Sequence, residues 1–354
     1  MRTTNPAAVV VLVLMALIVA TGCASGPSLL AKRSPSLATS TPTPATPAFD
    51  DHFGFLIGNA VRVESDPQPL FTLGIPNDSG GLVSPDGSRL AYWDKKELRV
   101  IDIAPGTQPQ TVLAITGKGE SALYFAWSTD GSGLIVGVNG GGGGQADAPP
   151  GYTALRVVDA WGGSPVREIV RVRNANVIPL IWDRYARFVE GYIPTGSSTG
   201  IYYVTKEDAT RTSTIAWPGV NGVQASQDGQ WVLGRGDTNG VLHVSQRAGV
   251  TTQGTFLDTG GEPILDAAWR PGTHEVDVLL AERLELREVF GGPRTIPLPP
   301  HANGKSLLVF RADGKTAFAV GADVIAVDIA SGRSSVLRWS GPMPEPGRSV
   351  RIAP

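Results

Sequence analysis

Leu82-Val83-Ser84-Pro85-Asp86-Gly87 is the stretch on which the fold is decided. An apolar run stops at Ser84, and a turn follows in which Asp accepts local backbone hydrogen bonds and Gly takes positive φ. It therefore reads as the junction between two antiparallel strands. The same unit returns as Phe125-Ala126-Trp127-Ser128-Thr129-Asp130-Gly131, Gln224-Ala225-Ser226-Gln227-Asp228-Gly229 and Val309-Phe310-Arg311-Ala312-Asp313-Gly314. Weaker copies fill the gaps, at Leu180-Ile181-Trp182-Asp183-Arg184-Tyr185-Ala186 and Ala267-Ala268-Trp269-Arg270-Pro271-Gly272. With positions 86, 130, 185, 228, 272 and 313 taken as equivalent, the spacings are 44, 55, 43, 44 and 41 residues. A period near 43 suits a four-stranded propeller blade.

The second half of each unit repeats too, as Leu98-Arg99-Val100-Ile101-Asp102, Leu155-Arg156-Val157-Val158-Asp159, Ile201-Tyr202-Tyr203-Val204, Val241-Leu242-His243-Val244, Leu284-Glu285-Leu286-Arg287 and Val324-Ile325-Ala326-Val327-Asp328. Six units are complete. The N-terminal piece Phe55 to Val63 matches Phe318 to Ala326 and reads as a middle hairpin without its first strand, which Ser349-Val350-Arg351-Ile352 could supply. That pairing would remove the open sheet edges. The expectation is an all-β chain, a β-propeller of four-stranded blades with seven blades; six blades and a stray hairpin is the alternative. The Ser84-Pro85-Asp86-Gly87 unit with its following strands resembles the WD40-like (PD40) repeats of TolB-type propellers, from about Phe53 to Pro354. Such repeats occur in periplasmic binding proteins, peptidase propeller domains and lipoproteins, so the resemblance implies a fold rather than a function.

Upstream, Arg2 precedes an unbroken apolar stretch from Ala7 to Ala20, then Thr21-Gly22-Cys23. At about 1.5 Å per residue that stretch is too short to span a ~30 Å hydrocarbon core, so it reads as an export signal and not a permanent anchor. Cys23 is the single cysteine of the chain. The segment resembles the lipobox of bacterial lipoproteins, with Ala20 where that motif usually has Leu, Val or Ile. The resemblance implies cleavage before Cys23, a lipid on its thiol with palmitate among the acyl chains, and a lipid-anchored, extracytoplasmic location at the cell membrane or envelope. Residues 24–49 are rich in Ser, Thr, Ala and Pro and read as a disordered tether, reaching ~30 Å as a coil and ~80 Å fully extended. The expected organisation is a signal peptide over 1–22, lipidated Cys23 and linker over 23–49, and the propeller over 50–354.

A net charge of −2, with 30 Lys and Arg scattered against 32 Asp and Glu, gives no basic surface for nucleic acid. The four histidines, His52, His243, His274 and His301, sit in no recognisable nucleophile context, and no GxSxG elbow occurs. An enzyme is therefore not expected. Trp127, Trp182 and Trp269 share one repeat position and read as core between blades. Two connections between second and third strands are long, Asn139 to Gln145 and Pro194 to Gly200, and project from one rim. Gly140, Gly142, Gly144, Thr195, Ser197 and Ser198 are accordingly the candidate partner-binding residues. The expected function is a monomeric, non-enzymatic module of the cell envelope, without a cofactor, that binds a protein or glycan. The enzymatic alternative places Ca²⁺ in the central channel on Glu120, Asn176, Asn221 and Glu262, each just before a first strand. It is similar in type to calcium-dependent lactonase and phosphotriesterase propellers.

Overall fold

The computed structural model describes residues 54–57, 59–63, 68–76, 81–141, 151–195, 199–209, 212–218, 221–235, 240–246, 255–299, 306–311, 313–337 and 349–352. The expected signal segment 1–22, Cys23 and the expected linker to residue 49 lie outside them. Among the described residues the strands assort into seven four-stranded antiparallel sheets. Sheet 1 joins Ser349–Ile352 to Gly54–Ile57, Ala60–Val63 and Phe71–Thr72. Sheet 2 is Gly81–Val83, Arg89–Asp94, Glu97–Asp102 and Gln110–Ala114. Sheet 3 is Ser121–Trp127, Gly133–Gly140, Tyr152–Asp159 and Arg167–Arg173. Sheet 4 is Ile178–Asp183, Phe188–Pro194, Thr199–Lys206 and Thr212–Pro218. Sheet 5 is Asn221–Ala225, Trp231–Arg235, Val241–Gln246 and Thr255–Asp258. Sheet 6 is Asp266–Trp269, Glu275–Leu279, Arg283–Glu288 and Pro293–Pro297. Sheet 7 is Leu307–Phe310, Thr316–Val320, Val324–Asp328 and Arg333–Leu337.

The turn chemistry is that of the sequence. In sheets 2, 3 and 5 a serine hydroxyl donates to the Asp two residues on, at 2.5 Å for Ser84–Asp86 and 2.6 Å for Ser128–Asp130 and Ser226–Asp228. The same oxygen accepts the backbone N–H five residues on, from Arg89, Gly133 and Trp231. Gly87, Gly131 and Gly229 take φ of 77°, 67° and 65°, where a Cβ would be costly. Each tight turn thus satisfies its own polar groups and fixes the register of the two strands that it joins.

Second strands are buried on both sides, and their period of two shares them between neighbours. In sheet 3, Leu134 and Val136 pack with Ala91 and Leu98 of sheet 2, while Ile135 packs with Trp182 and Val189 of sheet 4. Similar layers join sheet 1 to 2 through Val61 and Tyr92, sheet 4 to 5 through Tyr202 and Val232, sheet 5 to 6 through Leu233 and Val276, and sheet 6 to 7 through Leu286 and Phe310. The core therefore lies between consecutive sheets standing face to face, which is propeller architecture. The three repeat-position tryptophans are buried in these layers. Two also bond across them: Trp127 Nε1 donates to the Leu82 carbonyl at 2.9 Å and Trp269 Nε1 to that of Gln224 at 3.4 Å.

Polar groups strengthen two of the joints and the interior of sheet 6. Asp266 accepts from Arg235 of sheet 5 at 3.0 Å and from the backbone N–H of Leu308 of sheet 7 at 2.8 Å, so one carboxylate ties three sheets. In sheet 6, Arg270 holds Asp277 bidentately at 3.0 and 2.7 Å in the interior. Burial pushes the Asp277 carboxyl up to about 6 although Arg270 works the other way. A folded-state value above the ordinary one means a contribution to stability that is complete below about pH 4 and lost as pH rises through about 6. Denaturant titrations of the wild type and Asp277→Asn should therefore differ by an amount that moves in favour of the wild type between pH 7 and pH 4. A pH-independent difference would show that the folded-state carboxyl titrates where an unfolded one does.

Candidate functional site

First-to-second and third-to-fourth strand turns of an antiparallel sheet lie at one end of the strands, and second-to-third connections at the other. The long connections singled out in the sequence occupy the second end. Gly142, Gly144, Ser197 and Ser198 fall outside the described residues. Gly140 closes its strand opposite Tyr152, whose ring occupies the space that a Cβ would need, and Gly200 makes the same allowance for Tyr192. Packing against an aromatic neighbour accounts for both glycines. Thr195 is exposed.

The residues proposed for a cation precede or begin first strands, as spacing required. The side chains of Glu120, Asn176 and Glu262 are engaged by neighbouring residues. Glu120 accepts from Arg156 at 2.8 and 3.2 Å and from the Tyr152 hydroxyl at 3.2 Å, and the Arg156 bond holds its carboxyl below the usual range. Glu262 is paired with Arg283 at 2.5 Å. Asn176 Oδ1 accepts from Asn139 of the neighbouring strand at 3.1 Å. Asn221 begins its strand and pairs with Arg235 in register. Among the described residues, no three His, Cys, Asp or Glu side chains gather at metal-binding distance. A carboxylate bonded in a guanidinium fork has its lone pairs spent and its charge offset, so it is a poor hard-ion ligand.

The opposite end carries a cavity of about 540 Å³. Four sheets line it: Thr129 from sheet 3, Asp183, Tyr185 and Ala186 from sheet 4, Gln227, Asp228 and Gln230 from sheet 5, and Gly272, Thr273 and His274 from sheet 6. All come from first-to-second strand turns. The tight turns that build the fold thus double as the cavity wall. Its frame is fixed by bonds between sheets: Thr129 N–H donates to the Trp182 carbonyl at 2.9 Å, Gly272 N–H to Gln227 Oε1 at 3.1 Å, and His274 Nε2 lies 2.6 Å from Asp228 Oδ2. Burial opposes ionisation of Asp228, yet the bonds from Ser226 and His274 hold its carboxyl below the usual range. Trp231, 6.0 Å from the His274 ring, is capped edge-on by Phe290 at 5.8 Å.

The sheet 4 turn departs from the repeat. Asp183 stands where three other units have Ser and accepts from Ala186 N–H at 2.9 Å, and the residue in the left-handed region is Arg187, at φ 57°. A non-glycine residue held there costs roughly 1 kcal/mol. Tyr185 at its tip is 86% exposed. The cavity thus combines a free aromatic face with carboxylate, amide, hydroxyl and imidazole groups on a rigid frame. In chemical terms the lining can accommodate a polar ligand with a stackable surface. The sequence gives His274 no nucleophile context and reads Leu180 to Ala186 as a weaker copy of the repeat. The replaced Ser and Gly were the available signal.

No known protein family matches the chain, and no curated protein sequence does. Solved structures do. A prolyl endopeptidase is 20% identical with a TM-score of 0.54, over 78% of this chain but only 44% of that one. A chain of the mitotic checkpoint complex is 12% identical with a TM-score of 0.51, over 90% of this chain and 98% of that one. A protein of unknown function from Desulfotomaculum acetoxidans is 11% identical with a TM-score of 0.52, over 85% and 99%. At these identities the likeness is one of fold, the β-propeller, and this chain spans less than half of the peptidase.

Proposed function

We propose that the chain is a lipid-anchored, extracytoplasmic β-propeller lipoprotein that recognises a glycan of the cell envelope without catalysing its conversion. The observation that carries the binding role is the 540 Å³ cavity walled by four successive turns, with Tyr185 standing free at its lip. A sugar ring presents an apolar face for an aromatic side chain and equatorial hydroxyls for Asp183, Gln227, Gln230 and Thr273. The cavity offers that combination and lacks a deep apolar floor. No serine or cysteine lines the cavity beside the His274–Asp228 pair as a nucleophile. The export signal and Cys23 support the location, and the linker would hold the propeller clear of the lipid.

The test has two arms. Full-length protein in detergent, applied to an array of envelope oligosaccharides, should bind a defined subset, and Tyr185→Ala should weaken that binding by roughly tenfold, the scale of a lost aromatic contact. In cells, Cys23→Ser should move the protein from the membrane fraction to the soluble extracytoplasmic one. Binding unaffected by Tyr185→Ala would overturn the site, and membrane retention of the Cys23 variant would overturn the anchor.

A further inference from the structure

A second cavity, of about 520 Å³, lies between sheets 3 and 4 at the same end of the strands. It is lined by Asp159 and the Ser164 to Arg167 segment of sheet 3, and by Trp182, Arg184, Arg187 and Glu207 of sheet 4. Three guanidinium groups meet two carboxylates there. Glu207, only 8% exposed, is fully used: Oε1 accepts from Trp182 Nε1 at 2.6 Å and Oε2 from Arg167 at 2.9 Å. Burial opposes its ionisation, but these bonds hold it below the usual carboxylate range. Arg187 reaches the same carboxylate only at 3.7 Å, with 69% of its side chain exposed. Arg184 stacks over Trp182 at 4.9 Å, bonds Ser132 Oγ, and is 3.8 Å from Asp159.

The sheet 4 turn is therefore a wall shared by two cavities. Asp183, Tyr185 and Ala186 face the first, and Trp182, Arg184 and Arg187 the second. In the second, positive charge exceeds negative by one, and the surplus sits on guanidinium N–H groups whose nearest acid already has shorter bonds elsewhere. Arg187 adopts a left-handed backbone where glycine would be cheaper, which places a guanidinium at the cavity instead of a bare turn. A concave site with a surplus guanidinium is built for an oxyanion, which takes paired N–H donors in one plane.

We propose that this cavity binds an oxyanion of the carboxylate or phosphate type, held by Arg167, Arg184 and Arg187. The anion can be free in solution or can be the charged group of an acidic saccharide whose neutral part reaches the first cavity past Tyr185; only this second source rests on the glycan reading. Calorimetry on the full-length protein in detergent should detect inorganic phosphate, with affinity reduced roughly tenfold or more by Arg187→Gln and by Arg167→Gln, and unchanged by Tyr185→Ala. A second titration with a galacturonate trimer distinguishes the sources. Tighter binding than phosphate, with the gain abolished by Tyr185→Ala, assigns the anion to a saccharide. Equal binding insensitive to Tyr185 assigns a free anion and leaves the oxyanion site standing while the glycan reading falls. No heat with either probe, or heat unchanged in both arginine variants at wild-type melting temperature, would overturn the proposal.

Discussion

Replacing Arg270 with alanine is expected to cost about 3–5 kcal/mol of folding stability, the usual consequence of stranding one member of a buried ion pair. Asp277 has no exposed surface, and Arg270, whose guanidinium neutralises it, is itself only 8% exposed. Glu275, which also pairs with Arg270, would be released as well. In sheets 2, 3 and 5 the position of Arg270 is held by Ser84, Ser128 or Ser226, and in sheets 2, 3, 5 and 7 the position of Asp277 is held by Ala91, Ile135, Leu233 or Phe318, all buried; sheet 4 has Asp183 and Glu190 at the two positions, and sheet 7 has Arg311 at the first. Arg270 and Asp277 therefore pair a guanidinium with a carboxylate where sheets 2, 3 and 5 put a serine beside an apolar residue. It follows that Arg270→Ser with Asp277→Leu, which returns sheet 6 to the common pattern, should recover most of the loss. Denaturant unfolding of the two single variants and the double variant makes the cycle. If the single variants cost under 1 kcal/mol each, well below that range, water or a rearranged partner reaches Asp277 and the interior assignment is wrong.

The same comparison explains what was legible in the sequence. A repeat reports what every unit must do, so the Ser-x-Asp-Gly turns, the buried tryptophans and the pairing of Ser349–Ile352 with Gly54–Ile57 could be read from recurrence alone. The cavity could not. It draws on turns from Thr129 to His274, and only the angular arrangement of four sheets decides that these side chains meet. Departures from the repeat marked the places without giving the partners: Asp183 to Arg187 in sheet 4, Arg270 with Asp277 in sheet 6, and Glu190, which shares the position of Asp277 and is bonded by the Tyr202 hydroxyl at 2.5 Å. For Glu120 and Glu262 the spacing gives the place along the strand but not the partner: their charge partners sit two strands outward, on Arg156 and Arg283. Spacing fixes where a Cα lies and says little about which way a long side chain turns.

Removing residues 349–354 is expected to be the second severe change. Ser349–Ile352 pairs with Gly54–Ile57 in the register Ile352 to Gly54, Arg351 to Phe55, Val350 to Leu56 and Ser349 to Ile57, so a strand from one end of the sequence completes a sheet begun at the other. Each of the other six sheets is built from one continuous segment of chain. This closure is the one joint held by no loop. Without it the Gly54–Ile57 backbone becomes an unpaired edge, and three-stranded sheet 1 must close the ring alone. Four lost pairings at about 1 kcal/mol per net hydrogen bond give ~4 kcal/mol, before any contribution from packing. The exposed edge adds a second consequence, because a strand with free N–H and C=O groups recruits another chain. The truncated protein should therefore unfold at a lower denaturant concentration and also form dimers or larger species in sedimentation, and a synthetic peptide of residues 348–354 should reverse both by adding the missing strand. A truncated chain that stays monomeric with an unchanged midpoint would mean that sheet 1 is not closed by this strand.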